Sequence, residues 1–88
     1  DVHDAASAVR AAYAAVELVR QELSVARELE ALERDRFLLG DSTQFMVNLR
    51  ELNTADAAFR EIKALADYQK ARVALDGATG RLLDRVTP

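Results

Sequence analysis

An all-α fold, a long antiparallel two-helix coiled-coil hairpin with its turn at about Gly40, is predicted by three observations. Ala, Leu, Glu, Lys and Arg fill 48 of the 88 residues, which is the composition of a long helix or coiled coil when a helical period accompanies it. That period is present, because apolar residues recur every seven positions in both halves. Gly occurs only at Gly40, Gly77 and Gly80 and Pro only at Pro88, so the intervals 1–39 and 42–76 contain no helix breaker.

The elements follow in order. A first helix is expected over about 2–39, a turn over about 40–42 and a second helix over about 43–85, together one domain spanning 1–88. Gly40 suits the left-handed position that closes a helix, and Asp41 or Ser42 can accept the orphan amide hydrogens that open the next. So short a connection sets the helices side by side and antiparallel. At 1.5 Å per residue each arm is about 55 to 63 Å long.

Each arm carries two apolar stripes. In the first, Val2, Val9, Val16, Leu23 and Phe37 share one seam with Ala5, Ala12, Val19 and Ala26, while Ala11, Leu18, Val25, Leu32 and Leu39 form another with Ala8, Ala15 and Leu29. In the second, Phe45, Leu52, Phe59, Ala66 and Val73 form one stripe, and Ala57, Ala64, Tyr68, Ala71, Leu75, Ala78 and Leu82 the other. Pairing the two main seams predicts a register of residues whose numbers sum to about 82, setting Phe37 against Phe45, Leu23 against Phe59, Val16 against Ala66 and Val9 against Val73. Two stripes per helix require more neighbours than one sister arm, so a bundle or tubular oligomer is expected.

Composition excludes other classes. The longest apolar run, Ala11 to Val16, is far short of the roughly 18 residues of a membrane helix. Net charge is −3 and both signs are mixed along each half, a pattern not built for nucleic acid or an anionic membrane surface. No cysteine is available as a staple, and a chain this short buries too little surface to be robust alone. The chain opens at Asp1 with no leader pattern and reads as a processed chain or an excised fragment.

No catalytic constellation, metal site or cofactor site is visible. His3 is the lone imidazole, with no thiol or second His to complete a metal site or a nucleophile–base pair. Tyr68 and Phe59 lie on apolar stripes and read as core. Glu30 and Glu33 interrupt the first seam where apolar residues are expected; either the arms splay there and the seam is wet, or the tip is a polar element poised to open. Arg34, Asp35 and Arg36 add charge just before the turn, and Leu39 beside Gly40 is an apolar residue at a solvent-facing end.

The residues around the turn also carry a resemblance. Leu32-Glu33-Arg34-Asp35-Arg36-Phe37-Leu38-Leu39-Gly40 is similar to the run into the periplasmic tip of the TolC-like outer-membrane efflux proteins, where an Arg-Phe pair precedes the turn Gly. Ser42-Thr43-Gln44-Phe45-Met46-Val47 resembles the start of their returning helix, and Ala64-Leu65-Ala66-Asp67-Tyr68-Gln69-Lys70-Ala71 through Leu75 to Gly80 resembles their closing helix. Met46 stands where the family usually has an acidic residue, and Asn48 where it commonly has an apolar one.

The resemblance implies a periplasmic hairpin of the second repeat, cut below the barrel, from a homotrimeric outer-membrane export channel. The missing barrel part would make the membrane contact. It implies a periplasmic adaptor protein of a tripartite pump as partner, docking at Leu39, Gly40, Asp41, Ser42 and Thr43, and it makes Arg34, Asp35 and Arg36 gate candidates. A self-contained coiled-coil interaction or tethering module is the alternative. The adaptor's own hairpin fits less well: Arg34 and Leu38 begin its Arg-x-x-x-Leu tip pattern, but Phe45 stands where that pattern has Ser.

Overall fold

The computed structural model describes Asp1 to Val86; Thr87 and Pro88, which the expected domain includes, lie outside the described residues. Helix α1 runs over Val2–Leu38 and helix α2 over Gln44–Val86, and the hairpin measures 74 × 13 × 12 Å. The fold class and element order are those expected from the sequence, with the helix limits within a residue or so.

Local chemistry explains both ends of the first helix. The Asp1 carboxylate accepts the Asp4 amide at 2.9 Å and caps α1, and Asp4 adds an acid in the first turn, where the helix dipole favours it. At the other end the Asp41 amide donates to the Arg36 carbonyl at 2.8 Å and the Gly40 amide to the Phe37 carbonyl at 3.1 Å. This pair of bonds is a Schellman closure, and it needs the left-handed residue that Gly40 supplies with φ +83°.

The second helix starts differently from expectation. Neither Asp41 nor Ser42 caps it; the Thr43 hydroxyl accepts the Met46 amide at 3.2 Å while the Thr43 carbonyl accepts the Val47 amide at 3.1 Å. Ser42 is turned inward instead, donating its hydroxyl to the Glu33 carboxylate at 2.5 Å. One residue's difference in the cap therefore ties the turn back onto α1.

The α1 seam is the expected one from Val2 to Ala26, but not at the turn end, where Phe37 is 39 % exposed and Glu33 is the buried residue. Val16 and Leu23 are 2 % and 3 % exposed, and Val2, Ala5, Val9, Ala12, Val19 and Ala26 continue the half-buried line on either side. Full burial of a side chain such as Leu23 stabilises by about 1.5–3 kcal/mol.

The α2 seam is not. Phe45, Leu52, Phe59, Ala66 and Val73 all face away from α1, Phe59 being 68 % exposed. The seam against α1 is the other stripe, Ala57, Ala64, Tyr68, Ala71, Leu75 and Ala78, joined by Val47, Arg50, Thr54 and Glu61 in the same line, whereas Leu82, also expected on it, is 48 % exposed. Phe59 follows Ala57 by two residues, about 200° around the helix, so it sits behind α2 and does not meet Leu23.

The expected facing pairs Phe37–Phe45, Leu23–Phe59, Val16–Ala66 and Val9–Val73 therefore fail, although the axial offset, with numbers summing to about 82, holds. Tyr13 packs on Tyr68 with ring centroids 5.9 Å apart, Arg20 reaches Glu61 at 3.5 Å, Glu22 pairs with Arg60, and the Thr54 hydroxyl donates to the Ala26 carbonyl at 3.3 Å. Polar matching accounts for the face that α2 presents. With the Phe45, Leu52 and Phe59 stripe inward, Glu30 and Glu33 on α1 would stand at the height of Leu52 and Leu49 with no partner, and an unpaired buried carboxylate is strongly destabilising. With the alanine stripe inward, Arg50 stands at the height of Glu33, and the small residues of α2 admit Val16 and Leu23.

Candidate docking tip

The end of α1 from Glu30 to Leu38, the turn residues 39–43 and the first two turns of α2 form a tip with two layers, one polar and inside, one apolar and outside. In the inner layer Glu33 is 3 % exposed. Its carboxylate accepts from Ser42 at 2.5 Å and from Arg50 Nε at 3.4 Å, and lies 3.5 Å from Arg36 Nη1. Arg36 also donates to the Asp41 carbonyl at 3.0 Å. Around this centre Arg34 bridges Glu30 at 2.6 Å and Glu51 at 3.2 Å, joining α1 to α2 a second time. Three carboxylates and three guanidiniums thus neutralise one another within two helical turns.

The arms therefore do not splay at Glu30 and Glu33; the seam there is closed by ion pairs rather than wet. Among the described residues no buried side-chain polar atom lacks a hydrogen-bond partner. Hydrogen bonding to Ser42 is the main reason that the Glu33 carboxyl is held below the usual carboxylate range, with Arg50 and Arg36 adding to it; desolvation pulls the opposite way and is outweighed.

The outer layer is apolar. Leu38 and Leu39 are 81 % and 77 % exposed, and Phe45 and Phe37 join them on the outside of the tip. Gly40 sits at the apex, where a Cβ would meet nothing within 4 Å. Of the expected docking residues, Leu39, Gly40, Asp41 and Thr43 are exposed, whereas Ser42 faces the polar layer. Of the gate candidates, Arg34 and Arg36 join that layer and Asp35 is exposed, contributing its backbone carbonyl to the Leu39 amide at 3.1 Å. Leu38 and Phe45 were missed as tip residues. Two consecutive Leu directly before a turn Gly were the available signal, since one helix face cannot bury both.

Along the shaft the second stripes are exposed on both arms, at Leu18, Val25 and Leu32 on α1 and at Leu52, Phe59, Ile62 and Val73 on α2. On α1 a shallow groove lined by Leu18, Gln21, Val25 and Leu29 follows the stripe. Tyr68 is seam, as expected, with the Arg72 guanidinium 5.9 Å over its ring; Phe59 is not core, because α2 presents its other stripe. His3 is exposed. Among the described residues no group of three or more His, Cys, Asp or Glu side chains is placed to hold a metal ion, and no helix is long and apolar enough to cross a membrane.

No family model matches the sequence, and no curated protein or solved structure matches it significantly.

Proposed function

We propose that the chain is a tunnel-wall hairpin of a TolC-like outer-membrane export channel, whose shaft packs against neighbouring hairpins of a homotrimer and whose tip docks onto a periplasmic adaptor of a tripartite pump. The observation that carries this reading is the second apolar stripe on each arm, left uncovered by the sister helix. Contiguous exposed apolar surface of this kind marks an interface. A stripe running the length of a helix is covered most fully by another helix. The similarity of residues 32–47 to the family's tip, and the exposed leucines flanking Gly40, add the docking end to that wall. In this reading the remainder of the protein supplies alternating strands of about 10 residues and a second such hairpin, and the reading frame can be searched for both.

The rival reading, a self-contained coiled-coil tether, draws on the matched polar pairs and on the caps at both ends of α1 and at the start of α2, which give the two arms one register without a third helix. The two readings separate at Gly40. Gly40→Trp in the full-length channel is expected to abolish export while trimers still assemble, because the bulk fills space that a docking partner needs. Lys63→Gln on the exposed shaft is expected to change little. Normal export by the Gly40 variant overturns tip docking.

A further inference from the structure

We propose that Glu33 is an acid-releasable latch that holds the tip turn against both helices, so that the turn opens on protonation while the shaft stays zipped. The geometry concentrates three attachments on one carboxylate. It accepts from Ser42 in the turn, from Arg50 in α2, and is flanked by Arg36 of its own helix. Among the described residues the turn has one further tie to a side chain outside it, the bond from Arg36 to the Asp41 carbonyl, and Arg36 lies 3.5 Å from the Glu33 carboxylate. Removing the Glu33 charge therefore loosens the turn at two points together.

The surroundings sharpen the effect. The charged groups in contact with Glu33 are Arg36 on α1 and Arg50 on α2; beside them Arg34 is paired with Glu30 and Glu51, and Asp41 is the acid of the turn. Glu30 and Glu51 are both engaged by Arg34, so a neutral Glu33 leaves Arg36 and Arg50 close together without their shared counter-ion. The shaft beyond is held by apolar packing at Leu23, Val16 and Ala57, which depends on no carboxylate and does not touch Glu33. Because the folded carboxyl binds its proton less readily than the unfolded one, the latch contributes fully at neutral pH. Its contribution is lost as pH falls through the depressed folded value.

The experiment is an acid titration of the 88-residue chain by NMR, following side-chain carboxyl carbons together with backbone amides. Glu33 is expected to titrate below the usual carboxylate range, and the amides of residues 40–47 to shift with the Glu33 midpoint while those of Ala57 and Ala64 do not. In Glu33→Gln those turn amides are expected to hold their released positions at neutral pH and to lose the Glu33-linked transition. Ser42→Ala, which leaves the carboxylate in place, is expected to raise the Glu33 midpoint toward the ordinary range. Asp41→Asn, which removes the turn's own acid, is expected to leave the transition intact. The latch is overturned if Glu33 titrates in the usual carboxylate range, if the turn transition survives in Glu33→Gln or vanishes in Asp41→Asn, or if turn and shaft are lost in one step.

Discussion

At Gly40 a φ of +83° makes any L side chain costly whatever the space around it. A Cβ there touches nothing within 4 Å, so the penalty for Gly40→Ala is purely that of the backbone, about 1–2 kcal/mol. A fall in the urea or thermal midpoint by that amount is expected, with Gly40→Asn milder because Asn tolerates the left-handed region. Three residues on, Thr43 carries the cap of α2 through its hydroxyl. Thr43→Ala is expected to cost about 1 kcal/mol, measured in the same melts. Asp41→Ala is expected to leave the start of α2 unchanged, and an equal loss in the two variants would remove Thr43 from the capping role.

Between the two helices, an element-scale choice decides which residues count as core. Leu23→Ala opens a hole in the seam between α1 and α2 and is expected to cost about 2–5 kcal/mol, enough to unfold much of a lone two-helix structure. Phe59→Ala removes a larger side chain from the back of α2, where it is exposed. In dilute solution its melting midpoint is therefore expected to stay near that of the parent, and association at high concentration to weaken. Circular dichroism melts at two concentrations distinguish the cases; a Phe59 variant as damaged as the Leu23 variant in dilute solution would put Phe59 back in the seam.

As a whole molecule the hairpin is a rod 74 Å long and 13 Å across, a shape with little interior relative to surface. Ordering so many residues costs about 1–2 kcal/mol of backbone entropy each, and a single seam offsets this only narrowly. Covering the exposed stripes at Leu18, Val25, Leu52, Phe59 and Val73 with other copies is the available source of further stabilisation. The isolated chain is accordingly expected to self-associate, with a melting temperature that rises with protein concentration. Sedimentation equilibrium alongside the melts checks this, and a monomer with a high, concentration-independent midpoint would contradict it.

What the sequence determined by itself was local: two long helices from composition and the seven-residue period, the break at Gly40, the antiparallel return and its axial register, and the α1 seam through Val16 and Leu23. Each depends on residues near one another in the chain or on a single spacing. The face of α2 was decided only in three dimensions, because α2 carries two apolar stripes and the period alone favours the one richer in Phe. The choice turned on partners for Glu33 and Arg20, which Arg50 and Glu61 supply from 17 and 41 residues away in the chain. For the same reason the inner polar layer of the tip was not legible as a unit. Glu33 read as an interruption of a stripe, whereas a buried carboxylate is stable only where a turn hydroxyl and guanidiniums from two helices converge on it, and that convergence exists only once the hairpin has closed.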